Sequence, residues 1–190
     1  MLVLASTSRY RRELLARLQI PFEVVGPEVD EHPFPGEPAA TRALRLAEAK
    51  ARAGAAHFPT ALILGSDQVA EIDGERLDKP GGRARAREQL LLASGRDVVF
   101  HTAVTLVTSA SGHAESRLVP TEVRFRRLTA AEIDRYLDKE QPYDCAGSAK
   151  SEALGIALLD EIKGTDPTAL IGLPLIAVTQ LLRDAGLPVP

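Results

Sequence analysis

Cysteine is almost absent from the sequence, and Cys145 is the single copy among 190 residues. One cysteine cannot form an intrachain disulfide, so the composition favours a reduced, cytoplasmic protein. No apolar run approaches the roughly 20 residues of a membrane-spanning helix. The first apolar run, Leu2 to Ala5, is far too short for a signal peptide. We therefore expect a cytoplasmic protein with no membrane partner.

The chain has no excess of positive charge, because 23 Lys and Arg face 26 Asp and Glu for a net charge of −3. A protein that holds duplex nucleic acid needs a clustered positive face, so stable nucleic-acid binding is not expected. Lysine is scarce, with five copies against 18 arginines. Mutational bias explains that ratio as well as function does, but each retained lysine is a candidate functional residue. The five are Lys50, Lys79, Lys139, Lys150 and Lys163.

Several short enzyme signatures are missing. The sequence has no Walker A loop, no Gly-x-Gly-x-x-Gly after a strand and no His-Glu-x-x-His. The four histidines are scattered and do not pair at the spacing of metal ligands. Any catalytic or ligand-binding residues are therefore expected in segments outside these signatures.

Hydrophobic and charged residues make up 45% and 26% of the chain, close to the globular average. The length fits one domain over residues 1–190, and alternating apolar segments predict an α/β fold. Predicted strands are Leu2–Ala5, Phe22–Val25, Ala61–Leu64, Val69–Ile72, Val98–Thr108 and Leu118–Phe125. Five helices are predicted. One follows Ser8, one has Ala43, Ala47 and Ala51 at helical spacing and ends near His57, one spans Arg83–Ala93, one begins after a capping box formed by Thr129 and Glu132, and one spans Leu173–Ala185. Asp73-Gly74 predicts a tight hairpin turn after the strand that ends at Ile72.

The first chemical segment, Ser6 to Arg12, joins the first strand to the first helix and contains three arginines. Cations at a helix N-terminus are electrostatically unfavourable unless an anion joins them, whereas the amides there favour anions. We expect an anion site. The alternative is an ordinary helix cap with a solvated basic first turn.

Two acidic segments are further candidates. Asp67 follows the predicted strand Ala61–Leu64, and an acid at the end of such a strand can hold Mg²⁺ or take a proton from water. A turn-forming aspartate is the alternative. The loop Glu28-Val-Asp-Glu31 offers carboxylate oxygens to a hard divalent cation, although sequence alone favours a solvated acidic loop. Lys50, Lys79 and Lys150 lie in or beside such segments, where flexible ammonium groups suit contacts to a polyphosphate.

Taken together, the segments resemble the Maf family of nucleoside triphosphate pyrophosphatases over nearly the whole chain. The matching motifs, in the order of the family, are Leu4-Ala-Ser-Thr-Ser-x-x-Arg-Arg12, Glu28-Val-Asp-Glu31, Leu46-Ala-x-x-Lys50-Ala, Gly65-Ser-Asp-Gln-Val69, Lys79-Pro80, Ala146-Gly-Ser148 and Gly172-Leu-Pro174.

The resemblance implies an elongated mixed sheet with flanking helices and a cleft between two lobes, as in inosine triphosphate pyrophosphatases. It implies hydrolysis between the α and β phosphates of a nucleoside triphosphate, with Mg²⁺ or Mn²⁺. By position, Asp67 matches the proton acceptor, and Glu31 and Asp67 match the metal site. The residues that match the phosphate-binding set are Ser6, Arg11, Arg12, Lys50 and Lys79.

Three positions carry the subgroup resemblance. Family members that act on dTTP and UTP typically differ from this chain at Tyr10, Gln68 and Glu152. Together with the segments Asp144-Cys-Ala-Gly-Ser148 and Asp166-Pro-Thr-Ala-Leu-Ile-Gly-Leu-Pro174, the differences look like the 7-methyl-GTP pyrophosphatase subgroup. That subgroup removes modified nucleotides before they enter nucleic acid, and it often has Trp at the position of Tyr10. An aromatic ring would stack on the cationic 7-methylguanine and add about 0.5–2 kcal/mol of cation–π attraction. Glu152 could accept hydrogen bonds from the guanine N1–H and amine, or else form a salt bridge with Lys150.

Two alternatives remain open at this point. One is a Maf-type enzyme for dTTP, UTP or other non-canonical nucleotides, and the other is a non-catalytic nucleotide-binding regulator of cell division. The resemblance also favours a homodimer.

Overall fold

The computed structural model describes residues 1–190 and contains seven β-strands and five α-helices. In chain order these are β1 (Leu2–Ala5), α1 (Arg9–Ala16), β2 (Phe22–Val25), α2 (Ala39–Ala55), β3 (Leu62–Ile72), β4 (Glu75–Arg76), α3 (Arg83–Ala93), β5 (Asp97–Thr108), β6 (His113–Phe125), α4 (Ala130–Glu140), β7 (Leu159–Gly164) and α5 (Leu175–Asp184). The predicted α/β class with a mixed sheet is confirmed.

The strands follow the order β2-β1-β3-β5-β6-β7, and β4 pairs with β3. β1 is parallel to both of its neighbours, with Leu4 opposite Val24 and Leu64. The β3–β4 and β6–β7 pairs are antiparallel.

The chain divides into two compact units. The first contains Met1–Gln68, Thr102–Val119 and Asp166–Pro190, and the second contains Val69–His101 and Pro120–Thr165. The single domain over residues 1–190 and the cleft between two lobes stay predictions.

In the first unit, strand β1 is buried on both faces, as is typical of parallel strands. Leu2 and Leu4 pack in a cluster with residues of α1 and α5, such as Leu14 and Val178. Val3 and Ala5 belong to a second cluster with Ala51 of α2. Because side chains alternate along a strand, β1 joins the two apolar layers of this unit.

Helix α2 packs closely because its buried face is made of small residues. Ala43, Ala47 and Ala51 are fully buried at helical spacing, and Gly54 extends the row. A Cβ built on Gly54 would lie 2.9 Å from Ile63 Cγ2 and 3.0 Å from Ala5 Cβ. The backbone of α2 therefore lies nearly in contact with the strands beneath it.

The second unit contains two of the predicted local motifs. Thr129 and Glu132 form the predicted capping box of α4, in which Thr129 N donates to Glu132 Oε2 and Glu132 N donates to Thr129 Oγ1. Hydrogen bonds from Thr129 hold the pKa of Glu132 down at about 2. Asp73 and Gly74 both have positive φ, as a tight hairpin turn requires.

Two predictions about strands are wrong. The predicted strands Ala61–Leu64 and Val69–Ile72 are one continuous strand, Leu62–Ile72, because Ser66 and Asp67 have partners that allow them to be buried between the two. Asp67 therefore lies within β3 and not after its end. Strand β7, which pairs with β6, was not predicted. Every residue after Leu159 is exposed, so the strand has no apolar pattern in the sequence.

None of the five helices combines the length and the apolar character needed to cross a bilayer.

Candidate active site

Two carboxylates converge on one lysine in the first unit. Lys50 Nζ lies 2.7 Å from Asp67 Oδ1 and 2.7 Å from Glu31 Oε1. Lys50 and Asp67 are each 8% exposed, whereas the Glu31 side chain is 55% exposed. The lysine thus joins a buried acid on a strand to an accessible acid on a loop, and it brings together three residues predicted from separate motifs.

A glycine sets the distance between Lys50 and Asp67. A Cβ on Gly65 would lie 2.2 Å from the Ala47 carbonyl oxygen and 2.4 Å from the Ala51 nitrogen. The α2 backbone therefore packs directly on β3 two residues before Asp67. Lys50, between those alanines in sequence, is held within hydrogen-bond distance of the carboxylate.

Arg11 lies in the first turn of α1, after the N-cap residue Ser8, whose side chain accepts from Arg11 N. Arg11 Nε donates to the Gly172 carbonyl oxygen at 2.9 Å, and Ser66 Oγ donates to the same oxygen at 3.1 Å. Burial lowers the pKa of Arg11, and the negative charges of Asp67 and Glu31 oppose that effect. The protein itself thus supplies part of the negative charge that an arginine at a helix N-terminus needs.

The other residues of the first segment differ in exposure. Ser6 is buried and accepts from Ser8 N at 3.2 Å, while Arg12 is exposed. The Arg9 guanidinium carbon lies 4.7 Å from the centroid of the Tyr10 ring, and Arg9 Nη2 donates to the Tyr10 hydroxyl. The Tyr10 ring is therefore already in a cation–π contact in this chain.

Gln68 has extensive contacts within the protein. Its Nε2 lies within hydrogen-bond distance of Thr102 Oγ1, the Ala169 carbonyl and the Leu170 carbonyl, at 2.9 to 3.1 Å. These contacts fix the turn before Gly172. The role of Gln68 in substrate specificity stays a prediction.

Lys79 and Glu152 belong to the second unit, and both are exposed. The residue before Lys79 is held by Gln89 of α3, whose Nε2 donates to the Asp78 carbonyl at 2.7 Å. Ser148 Oγ donates to Gln89 Oε1 at 2.5 Å. One buried amide thus connects the Lys79-Pro80 segment to the Ala146-Gly-Ser148 motif.

Replacing Gln89 with leucine should reduce the free energy of unfolding by about 1–3 kcal/mol, because the Ser148 hydroxyl and the Asp78 carbonyl lose a buried partner. Urea denaturation at 25 °C measures this loss. Gln180→Leu, at an exposed position of α5, is the matched control and should change stability by less than about 0.5 kcal/mol. Equal effects in both variants would contradict the bridging role of Gln89.

Lys150 forms its ion pair with Glu140, at 3.2 Å from Nζ to Oε1. The salt bridge between Glu152 and Lys150 stays a prediction. Lys150 N also donates to the hydroxyl of Tyr136, whose pKa is raised by burial, so the tyrosine stays protonated. These contacts make Lys150 part of the packing between α4 and the following loop.

The donor set suits a hard divalent cation that keeps most of its water. No cluster of three or more His, Cys, Asp or Glu side chains with metal-binding geometry is present. Mg²⁺ is commonly bound through one or two carboxylates together with substrate phosphates, and Glu31 and Asp67 supply two carboxylates around one point. The pair therefore fits such an ion when a nucleotide completes the coordination.

Asp166 and Thr168 also organise the site, although neither was among the predicted site residues. Asp166 is buried and accepts from Thr168 N, Thr168 Oγ1 and Ile176 N. It thereby caps α5, whose N-cap residue Pro174 offers no side-chain hydrogen bond. The loop that ends in α5 carries the Gly172 carbonyl that receives Arg11 and Ser66. An aspartate two residues before a threonine is the local signal that could have indicated this cap.

Comparison with known proteins finds relatives by sequence and a match among solved structures. The 7-methyl-GTP pyrophosphatase of Thiobacillus denitrificans is 59% identical over 188 residues, which is 99% of this chain and 94% of that protein. The protein of the same name from Burkholderia pseudomallei is 60% identical over 190 residues, or 98% of this chain and 88% of that protein. The solved structure of the Staphylococcus aureus Ham1 protein is 16% identical, with a TM-score of 0.49 over 66% of this chain and 72% of that chain.

A family model also matches almost the entire sequence. The model for the Maf-like proteins covers residues 1–185. This match includes every motif on which the resemblance was based, from Ser6 to Gly172. With its identity to the two pyrophosphatases over nearly full length, it shows that the chain belongs to the Maf family.

Proposed function

We propose that this chain is a nucleoside triphosphate pyrophosphatase that converts 7-methyl-GTP to its monophosphate and pyrophosphate, and so keeps a modified nucleotide out of nucleic acid. The observation that carries the proposal is the Glu31–Lys50–Asp67 cluster, a buried acid held against a lysine in a chain about as long as its relatives. The names of those relatives support the choice of substrate.

Asp67 is assigned to the attacking water. Lys50 donates to Oδ1, so Oδ2 is the oxygen that takes the proton of the water. The water oxygen forms a bond to the α-phosphorus, the bond from that phosphorus to the bridging oxygen breaks, and pyrophosphate leaves with the electron pair. Because Asp67 lies in the middle of a buried strand, its carboxylate is fixed before the substrate arrives.

The cationic residues are assigned to the phosphates. Charge accumulates on phosphate oxygens during the transfer, so fixed positive groups around them supply much of the catalysis. Arg11 and Lys50 lie beside the acids of the first unit, and the exposed Arg12 and Lys79 remain accessible to a ligand. Ser6 offers a hydroxyl next to the start of α1.

Glu31 and Asp67 would hold a divalent cation, Mg²⁺ or Mn²⁺. When bound, such an ion neutralises charge on the phosphate oxygens. Lys50, which contacts both carboxylates, keeps them within reach of a common point.

Tyr10, Gln68 and Glu152 are assigned to the base. The methylated ring carries a positive charge, and the Tyr10 ring is an aromatic face that already attracts one cation, the Arg9 guanidinium, which the base would replace. The exposed carboxylate of Glu152 can accept from two guanine donors. Gln68 supports the neighbouring turn by donating hydrogen bonds to the carbonyl oxygens of Ala169 and Leu170.

A nucleotide panel tests the proposal directly. Purified protein with Mg²⁺ or Mn²⁺ is incubated with 7-methyl-GTP, GTP, dTTP and UTP, and released pyrophosphate is measured. We expect the highest kcat/KM for 7-methyl-GTP. Preference for dTTP or UTP would support the pyrimidine-directed alternative, and tight nucleotide binding without pyrophosphate under either cation would support the regulator.

The double variant Tyr10→Arg with Glu152→Gln should lower the preference for 7-methyl-GTP over UTP by about 100-fold. This estimate combines a cation–π contact of about 1 kcal/mol with hydrogen bonds to a charged acceptor of about 2 kcal/mol. The ratio of kcat/KM values measures it. The double variant Tyr143→Arg with Glu161→Gln changes the same residue types elsewhere and should keep the wild-type ratio. An unchanged ratio in the first variant would remove both residues from the specificity set.

Further properties follow from the same proposal. We infer a cytoplasmic location, a homodimer and no stable complex with nucleic acid. The single cysteine, the family resemblance and the net charge of −3 support these inferences in that order.

A further inference from the structure

The loop that carries Glu31 has little structure of its own. Residues 26–38 contain four prolines and no helix or strand, and most of them are exposed. A cavity of about 500 Å³ is lined by Val29–Pro33 and Arg42. A loop with so few packed neighbours needs other contacts to present Glu31 to Lys50.

Arg45 of α2 supplies most of those contacts. Its Nε and Nη2 donate to the two carboxylate oxygens of Glu37 at 2.5 and 2.8 Å, the forked geometry in which arginine binds most firmly. Nη2 also donates to the His32 carbonyl at 3.2 Å, and the guanidinium carbon lies 4.1 Å from the centroid of the Phe34 ring. One side chain therefore holds three positions of the loop.

The partner of Arg45 is itself well enclosed. The Glu37 side chain is 3% exposed, and its Oε2 accepts from Phe34 N at 3.2 Å. Hydrogen bonds from Arg45 hold the pKa of Glu37 down at about 2, so the pair stays charged at neutral pH. Glu37 therefore accepts hydrogen bonds both from the Phe34 amide within the loop and from Arg45 of α2.

Arg42, one turn earlier on α2, completes the attachment. Its Nη2 donates to the Glu31 carbonyl oxygen at 2.9 Å. The backbone of Glu31 is thus fixed by Arg42 and its side chain by Lys50. All three basic residues belong to α2, which is the helix fixed against β3 at Gly65.

We propose that Arg45, through its paired contacts with Glu37 and the loop, is a positioning residue that fixes Glu31 at the reaction centre. The proposal rests on the role of Glu31 in the proposed function. Arg45 contacts the loop directly, whereas Asp67 acts on the guanidinium through its charge. A double-mutant cycle with Glu31 separates positioning through the loop from that electrostatic effect.

Loop order is measured first, in the absence of any ligand. Hydrogen exchange followed by NMR should show the Phe34 amide, which donates to Glu37 Oε2, exchanging about tenfold faster in Arg45→Gln than in the wild type. Arg52→Gln is the matched control, because Arg52 pairs with Glu48 on the same helix, in an exposed position. It should leave exchange in the loop unchanged. Unchanged exchange in Arg45→Gln would overturn the proposal, whatever the enzyme activity.

A double-mutant cycle then tests whether Arg45 acts through Glu31. We expect Arg45→Gln to lower kcat/KM for 7-methyl-GTP by about tenfold, within the range that small misplacements produce. Added to Glu31→Gln, the same substitution should cause no further loss, because the residue it positions is already disabled. Losses that multiply in the double variant would contradict positioning through Glu31.

Conservative and exchanged variants separate positioning from simple destabilisation. Arg45→Lys keeps the charge but not the fork, so its exchange and its kcat/KM should lie between those of the wild type and Arg45→Gln. The double variant Arg45→Glu with Glu37→Arg swaps the two residues of the ion pair and should recover part of the kcat/KM lost in Arg45→Gln. If the wild type releases no pyrophosphate from any nucleotide, the proposed function fails, while the exchange measurements still decide whether Arg45 orders the loop.

Discussion

Replacing Asp67 with asparagine should lower kcat for 7-methyl-GTP hydrolysis by about 10³-fold, within the range attributed to a positioned general base. Asparagine has nearly the same shape and can still accept from Lys50, but it cannot take a proton from water. Because Lys50 remains paired with Glu31, the fold should change little, while loss of one carboxylate from the cation site should weaken nucleotide binding. Single-turnover pyrophosphate release measures the chemical step, and circular dichroism and nucleotide titration measure the rest.

The matched control for this substitution is Asp160→Asn, on the exposed strand β7. It makes the same chemical change away from the cluster and should retain wild-type kcat. If Asp67→Asn kept more than a tenth of the wild-type kcat, the water would have to be activated by another group. Glu31→Gln would then become the informative variant, since Glu31 is the other carboxylate in contact with Lys50.

The environments of the two acids explain why Asp67 rather than Glu31 is assigned to the water. Asp67 lies on a buried strand, whereas Glu31 belongs to an irregular loop whose position depends on arginines of α2. A base that must hold a water in line gains from a rigid support. A carboxylate that binds a hydrated cation tolerates a more adaptable support.

Local sequence signals predicted much of the fold. The capping box at Thr129 depends on residues three apart, and the hairpin at Asp73 and Gly74 depends on adjacent residues. The apolar spacing of Ala43, Ala47 and Ala51 indicated α2 for the same reason. In each case the interacting groups are close in sequence, so the local sequence pattern is enough to predict the turn, cap or helix.

The candidate site was predictable as a set of motifs but not as an arrangement. Arg11 and the Gly172 carbonyl are 161 residues apart, and Ser66 and Gly172 are 106 apart. Such pairs depend on strand order, which no local pattern specifies. The division of β3 into two predicted strands has a related cause, because Ser66 and Asp67 look like loop residues until their distant partners are known.

Gly65 is the clearest example of a role that the sequence did not predict. Its motif indicated chemistry at Asp67, whereas the glycine itself is needed for close packing. A Cβ at this position meets backbone atoms, the Ala47 oxygen at 2.2 Å and the Ala51 nitrogen at 2.4 Å. Backbone atoms cannot rotate away as the end of a side chain can. The substitution Gly65→Ala must therefore displace α2 from β3, and with it Lys50 from Asp67.

We expect Gly65→Ala to reduce stability by about 3 kcal/mol, the upper part of the usual range for overpacking, and to lower Tm by about 6–12 °C. It should also lower kcat/KM by about 100-fold at temperatures where the protein stays folded, because a shift of 1 Å at a reacting group has that effect. Thermal denaturation and pyrophosphate release measure the two losses separately.

Gly26→Ala is the matched control in the same unit, because its Cβ would make one ordinary contact, 3.4 Å from Thr7 Cγ2, and its φ is not positive. It should leave Tm and kcat/KM close to the wild type. A Gly65→Ala protein that lost stability but kept wild-type kcat/KM would show that Lys50 reaches Asp67 without the close packing of α2. Full retention of both would mean that the helix moves aside at little cost. The expected joint loss instead follows from geometry, since the contact that admits only glycine lies two residues from the acid and within three residues of the lysine.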